Sequence, residues 1–163
     1  MYNNILIPLD GSKSAEQAIQ SAMEVAHKPS ASLHLVQAVG ALPYSRYPMR
    51  PTSMSAEQRT ADAYLDSLSR EIASQGFRVS AHTVTSEPAK GIMQVAEEER
   101  CDLIVMTSHG RSGAGRFFLG SVAERVMRHA SCPVLLIGRA SQHASSERAS
   151  QEKATEAELL KQI

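Results

Sequence analysis

A segment rich in glycine, serine and arginine, residues 107–121, holds the residue types best suited to bind a phosphate group. It follows a short apolar run, Leu103 to Met106, and leads into an amphipathic segment. In an α/β fold, this order places backbone N–H groups and the positive end of a helix at the carboxyl edge of a parallel sheet. Glycine lets the backbone approach an anion closely, because it has no Cβ. The segment therefore predicts nucleotide binding.

The start of the helix after this segment has its own signal. Ser121-x-x-Glu124 fits a capping box, which predicts a helix from Ser121 to about Ala130 with Gly120 at its mouth. Arg111 and Arg116 flank the glycines, and guanidinium groups suit phosphate oxygens. Because surface arginines are also commonly just solvated charges, we expect the backbone N–H groups to be the main phosphate ligands.

The spacing of these residues resembles the nucleotide signature of the universal stress protein family, Gly-x2-Gly-x9-Gly-Ser/Thr. Gly110 and Gly120-Ser121 match it without a gap, whereas Thr107 stands where the first glycine belongs. The run from Ile5 to Ser12 looks like the opening strand and Pro-x-Asp turn of the family, and Cys132 to Ile137 looks like its closing strand. The resemblance covers roughly residues 3 to 138.

The resemblance implies a regulatory protein that binds ATP, with Mg²⁺, across the carboxyl ends of the central strands. No protein side chain is assigned to the metal. Adenosine would lie near Asp10 and Ala38, and the phosphates near the glycines. The implied nucleotide-binding residues are Pro8, Asp10, Ala38, Met106, Thr107, Gly110, Arg111, Gly113, Gly120, Ser121 and Val122.

Several of these residues have a simpler alternative role. Asp10 precedes a glycine and a helix, so it is also a plausible turn or N-cap residue. Ala38 is equally consistent with an ordinary buried strand residue. Thr107 is β-branched, which penalises a positive φ and a close approach of phosphate to the backbone. The sequence leaves open whether the turn needs either.

Two other functions stay open. One is a dimeric stress protein that binds no nucleotide and acts through partner contacts, which Thr107 favours and Gly110-x9-Gly120-Ser121 disfavours. The other is an enzyme, but the chain has no Walker A motif and no room for a second substrate domain. We therefore expect at most slow hydrolysis of ATP, and we assign no catalytic residue.

Composition excludes several classes of partner. Seventeen basic and seventeen acidic side chains balance, and aromatic residues make up only 4% of the chain, so nucleic-acid binding is not expected. No secretory leader pattern or membrane-length apolar run is visible, and two cysteines do not make a disulfide framework. We expect a cytoplasmic protein.

Apolar runs alternate with helical patterns five times, which predicts a parallel sheet covered on both faces. Gly76 is placed to end the second helix and Pro88 to begin the third. The resemblance implies a doubly wound, three-layer α/β/α fold with strand order 3-2-1-4-5. The predicted strands are Ile5 to Leu9, Leu33 to Val39, Val79 to Thr83, Leu103 to Met106 and Val134 to Ile137.

Three further expectations concern organisation and assembly. Residues 40–54 contain three prolines and predict a long loop. Residues 1–139 form one domain, and the polar residues 140–163 form a disordered or partly helical tail, or a helix that docks on a partner through its last apolar residues. The apolar strand Val134–Ile137 would lie at a sheet edge and pair with a second copy, giving a homodimer.

Overall fold

A computed structural model describes residues 2–26, 31–40, 55–108 and 119–138. In these ranges five strands and four helices alternate along the chain. The strands are β1 Asn4–Pro8, β2 Ser32–Gly40, β3 Arg78–Ser86, β4 Leu103–Thr107 and β5 Val134–Ile137; the helices are α1 Lys13–Val25, α2 Ala56–Ser74, α3 Pro88–Glu98 and α4 Ser121–His129. All strands are parallel, in the order β3-β2-β1-β4-β5, which confirms the predicted doubly wound sheet.

Both faces of the sheet are covered, and each face has its own apolar core. Successive strand side chains point to opposite faces, so Ile5 and Ile7 pack with α1 and α2, whereas Leu6 packs with α3 and α4. All three residues are fully buried. This double burial explains why the central strands are continuously apolar. None of the described helices combines the length and the sustained apolar character that crossing a bilayer requires.

The sheet splits at its centre, between β1 and β4. The two strands pair only at Ile5 with Leu103 and at Leu6 with Ile104. Beyond that point β1 stays with β2, through Pro8 beside Val36, and β4 stays with β5. Pro8 has no N–H to donate to a ladder. The split lies where the strand order reverses, which is where ligands bind in open α/β sheets.

At their carboxyl ends, four of the predicted strands differ from the observed ones by one to three residues; β1, for example, ends at Pro8 rather than at Leu9. β3 continues past the predicted end at Thr83 to Ser86, and Gly40 belongs to β2 rather than to the predicted loop. The reason is that β2 and β3 pair along their whole length, up to Gly40 beside Ser86, and backbone pairing does not depend on an apolar side chain. The rest of that loop, residues 41–54, and the tail, 139–163, lie outside the described residues.

The predicted ends of two helices are confirmed. α2 ends just before Gly76, which has φ +88°, a left-handed conformation that glycine adopts without steric cost. α3 begins at Pro88, whose missing N–H costs nothing in the first turn of a helix.

Gly91 lets helix α3 pack against β3 at a point where a Cβ would not fit. A Cβ at this position would stand 2.7 Å from Val84 Cγ2 and 3.3 Å from Ser86 Cβ. The first distance is shorter than van der Waals contact, so a larger residue requires a shift of the Val84 side chain or of the helix. The glycine therefore sets how closely the first turns of α3 approach the sheet.

We expect Gly91→Ala to lower the free energy of unfolding by about 1–3 kcal/mol, the usual cost of overpacking. Helix propensity alone would raise it by about 1 kcal/mol, so the sign of the change separates the two effects. Adding Val84→Ala removes the methyl group that the new Cβ meets, and the double variant should be more stable than the sum of the single effects. Urea unfolding measures all three.

Lys90→Ala, at an exposed neighbour on the same helix, is the matched control and should change stability by less than about 0.5 kcal/mol. A Gly91→Ala variant as stable as the wild type would show that α3 shifts without cost.

Candidate functional site

A cavity of about 290 Å³ opens at the carboxyl edge of the sheet, where β1 and β4 separate. Its size is close to the lower end of small-molecule sites, about 300 Å³. Strand ends, the first turns of α3 and α4, and the turn after β1 form its walls. The lining residues are Pro8, Leu9, Asp10, Ala15, Val36, Ala38, Pro88, Ile92, Met106, Thr107, Ser108, Gly120, Ser121, Val122 and Ala123.

Most residues that the sequence analysis singled out come together here. Of the eleven implied nucleotide-binding residues, eight line this cavity: Pro8, Asp10, Ala38, Met106, Thr107, Gly120, Ser121 and Val122. The other three, Gly110, Arg111 and Gly113, lie outside the described residues. The cavity thus collects side chains from three neighbouring strands and from α4.

The two sides of the cavity differ in chemistry. The side formed by β2 and α3 is apolar, with Val36, Ala38 and Ile92. The side formed by the end of β4 and the start of α4 carries Ser108 and Ser121. Because β1 lies between β2 and β4, the turn that follows β1 joins the two sides. Such a cavity suits a ligand with one apolar, flat part and one polar part.

The start of α4 differs from the predicted capping box. The N-cap is Gly120, with φ −62° and ψ 144°, and no side chain caps the helix. Ser121 is the first helical residue instead, and Glu124 pairs with Arg128 at 2.8 Å rather than with the helix start. The capping-box prediction was wrong because Gly120, which has no side chain to accept a hydrogen bond, occupies the N-cap position that the box assigns to Ser121.

An uncapped helix start leaves donors at the cavity. The first intrahelical bond of α4 runs from the Glu124 N–H to the Gly120 carbonyl, at 2.9 Å. By helix geometry, the N–H groups of Ser121, Val122 and Ala123 have no acceptor within the helix. All three residues line the cavity. The Gly120 N–H donates to the Ser108 carbonyl at 2.8 Å and ties this helix start to the end of β4.

Asp10 has a structural role in the turn after β1. Its Oδ1 accepts hydrogen bonds from the Ser12 N–H at 3.0 Å and from the Ser12 hydroxyl at 2.6 Å. Ser12 in turn caps α1, since its Oγ accepts from the Ala15 N–H at 3.2 Å. Gly11 between them has φ +81°. The turn therefore holds the Asp10 carboxylate at the cavity wall.

Thr107 does not need the conformational freedom of glycine. It is the last residue of β4 and pairs with Ile137, and Arg100 is the one non-glycine residue in the described ranges with a positive φ. The backbone at this position is thus compatible with a β-branched side chain. Of the two penalties expected for Thr107, the one for a positive φ therefore does not apply.

Seven lining residues were not anticipated. The alternation of β2 could have indicated Val36, which lies two residues before Ala38 on the same face. Pro88 and Ile92 could have been found from topology, since a helix that follows a parallel strand begins at the carboxyl edge of the sheet. The others are Leu9, Ala15, Ser108 and Ala123, which neighbour predicted residues in sequence or on a helix turn.

A contact between helices closes the rim of the cavity beside Pro88. The Glu87 carboxylate caps α3 by accepting from the N–H groups of Ala89 and Lys90, and it lies 3.0 Å from Arg125 Nη1 of α4. Desolvation raises the pKa of Glu87, but these backbone donors and the guanidinium together hold it below its usual value. The carboxylate thus joins the first turn of α3 to α4.

Comparison with known proteins gives a consistent result at the level of sequence. The profile of the universal stress protein family matches residues 1–138. A universal stress protein of Methanocaldococcus jannaschii is 31% identical over 140 residues, which are 84% of this chain and 82% of that protein. The matched region contains all five strands.

Solved structures share the fold. The hypothetical protein MJ0577 has a TM-score of 0.70 at 26% identity, with 87% of this chain and 99% of that one covered. A universal stress protein in complex with cAMP has a TM-score of 0.66 at 22% identity, with 83% and 97% covered. A family protein from Arabidopsis thaliana with AMP bound has a TM-score of 0.60 at 17% identity, with 85% and 93% covered.

The rim contact of Glu87 predicts a pH-dependent contribution to stability. Because its pKa is lowered in the folded chain, the contribution is present above its ordinary value of 4.5 and is lost as the pH falls through the folded pKa. At pH 7, Glu87→Gln should cost about 0.5–1 kcal/mol, the range for a helix cap. As the pH falls from 7 through the folded pKa of Glu87, the stabilities of the variant and the wild type should converge. Urea unfolding across this range measures the difference, with the exposed Glu97→Gln of the same helix as control. A constant difference at all pH values would contradict the assignment.

Proposed function

The chain belongs to the universal stress protein family, and on this premise we propose that it is a regulatory module that binds ATP. The observation that carries the proposal is the cavity between β1 and β4 with the uncapped start of α4 at its wall. Backbone N–H groups at a helix start attract anions, and the apolar opposite wall suits a flat ring. A nucleotide combines both chemistries in one ligand.

The adenosine part would lie on the side of β2 and α3. Val36, Ala38 and Ile92 supply apolar contact for the base, and Ala38 leaves room because its side chain is small. The Asp10 carboxylate at the cavity wall would accept hydrogen bonds from ribose hydroxyls or from adenine. Because Asp10 also holds Ser12, its two roles must be separated by experiment.

The phosphates would lie at the start of α4. The N–H groups of Ser121 and Val122 would donate to phosphate oxygens, assisted by the positive end of the helix. Gly110, Arg111 and Gly113, of the segment between β4 and α4, would complete the phosphate site. Asp10 is the one carboxylate among the described lining residues, so Mg²⁺ would be bound mainly by phosphate oxygens and water.

The ligand class has support from relatives of the same fold. One is solved in complex with cAMP and another with AMP bound, and both ligands are adenine nucleotides. The identities of 22% and 17% support the fold, and the cavity chemistry of this chain supports the extension to ATP. The chain has no Walker A motif, so a regulatory role is favoured over catalysis, with slow hydrolysis at most. Such a regulator would act in the cytoplasm.

Dimer formation is a second part of the proposal. β5 is an edge strand of the sheet, and each of its four residues is only partly buried. An apolar edge with unpaired backbone groups favours pairing with another strand, and a two-fold axis would pair β5 with itself.

The function is tested by calorimetry with ATP and Mg²⁺, in which the wild type should bind in the micromolar range. Gly120→Val should weaken binding by at least about tenfold, because a branched side chain at the helix mouth enters phosphate space. ATP recovered from freshly purified protein would be independent support. Absence of binding by the wild type would refute the proposal.

Asp10→Ala and Ser12→Ala form the matched pair for the adenosine side. Both variants should lose about 1 kcal/mol of stability, because each disrupts the cap of α1. Only Asp10→Ala should also weaken ATP binding by about tenfold, since Asp10 lines the cavity. Equal affinities in the two variants would leave Asp10 with its turn role alone.

The dimer is tested by light scattering, which should read roughly twice 17.7 kDa for the wild type. Leu136→Lys should shift the protein to monomer, because the new charge must be desolvated on association. Ala81→Lys, an exposed position on β3 at the opposite edge, should leave the dimer intact. A wild-type monomer at micromolar concentration would exclude pairing through β5.

A further inference from the structure

A polar cluster lies under the far end of α3, away from the cavity. It consists of His34 of β2, Ser80 and His82 of β3, and Glu99, the C-cap of α3. His34 and Ser80 are register partners in the parallel ladder, and His82 is two residues further along β3 on the same face. Sheet register and the end of one helix thus bring two imidazoles and a carboxylate together.

The distances within the cluster suit a small cation. His34 Nδ1 lies 3.5 Å from Glu99 Oε2, and His82 Nε2 lies 3.7 Å from Glu99 Oε1. The three donor atoms are all within 4.8 Å of one another. Two ligands of tetrahedral Zn²⁺ are about 3.3 Å apart, given bond lengths of about 2.0–2.1 Å. The two separations between imidazole nitrogen and carboxylate oxygen are within about 0.5 Å of that value.

His34 turns its Nδ1, rather than its Nε2, towards the cluster. The residue is 6% exposed, and its Nε2 is buried without a hydrogen-bond partner in the described part of the chain. Its Nδ1 points at the cluster, 2.8 Å from Ser80 Oγ, which also lies 3.0 Å from His82 Nε2. The serine hydroxyl therefore bridges two nitrogen atoms that could otherwise coordinate one ion.

The surrounding charge favours a cation. α3 ends in Glu97, Glu98 and Glu99 and has no basic residue in its last turn. Carboxylates at the negative end of a helix are unfavourable, whereas a cation there is favourable. Arg100, which follows with φ +51°, turns the chain towards β4 directly after Glu99.

We propose that His34, His82 and Glu99 bind a divalent transition-metal ion of the Zn²⁺ class. Two imidazoles and one carboxylate are ligands that Zn²⁺ accepts readily, whereas Mg²⁺ prefers oxygen alone. The side chains of His82 and Glu99 are 23% and 36% exposed, so solvent reaches the site and water can supply the fourth ligand. The ion joins the end of α3 to β2 and β3.

This site is separate from any Mg²⁺ that accompanies a nucleotide. His34 and Ala38 are four residues apart on β2, which corresponds to about 13 Å along the strand. The two sites lie at opposite ends of α3, because Pro88 lines the cavity and Glu99 follows the last turn. Zinc binding therefore needs no nucleotide and can be tested in its absence.

The test uses the full chain, free of affinity tags and nucleotide, with Zn²⁺ or Co²⁺ alone as the probe. We expect one ion per chain by calorimetry and a higher thermal unfolding midpoint with Zn²⁺. The Co²⁺ spectrum should lack a thiolate charge-transfer band, which excludes Cys101 and Cys132 as ligands.

The variants His82→Gln and Glu99→Gln should each weaken Zn²⁺ binding by at least about tenfold and lose the thermal shift. Both positions are partly exposed, and unfolding without metal verifies that the variants fold. His129→Gln, an exposed histidine on α4, should bind as the wild type does. No Zn²⁺ binding by the wild type, a thiolate band, or equal affinity in all three variants would overturn the proposal.

Discussion

The early end of the ladder between β1 and β4 is the constraint on which the site depends. The strands pair only as far as Leu6 and Ile104, although each continues towards the carboxyl edge with its other neighbour. A parallel sheet with this strand order must contain one point where successive connections leave in opposite directions. The two strands separate at that point, and the space between their ends forms the cavity while the core below stays packed.

The same topology explains why α4 can start without a side-chain cap. A helix start usually satisfies its N–H groups with a nearby side chain, and α1, α2 and α3 do so through Ser12, Ser55 and Glu87. α4 has Gly120 there instead and leaves its first donors facing the cavity. The exception among the four described helices is the one at the strand split, so the helix start without a side-chain cap lies at the cavity.

Helix α3 reaches from the cavity to the cluster of His34, His82 and Glu99. Its first two turns hold Pro88 and Ile92 at the cavity, and its C-cap, Glu99, faces the histidine pair. Gly91 fixes the distance between this helix and β3, since even one methyl group would meet Val84 at 2.7 Å. Burial lowers the pKa of His34, Glu99 opposes this effect and His82 adds to it, so the imidazole is neutral at pH 7. The neutral, buried imidazole of His34 therefore places a polar group at the C-terminal end of α3, on a face of the sheet that is otherwise apolar.

The sequence determined the fold and much of the cavity. Hydrophobic periodicity predicted the strands and helices, because strands buried on both faces are continuously apolar. The strand order came from the resemblance to the family. Tertiary structure decided the features that depend on pairing between strands distant in the sequence. It extended β3 to Ser86 through pairing with β2, and it showed that Thr107 lies in ordinary extended backbone paired with Ile137. It also brought His34 beside His82, a contact that depends on register between strands, which no local pattern of residues specifies.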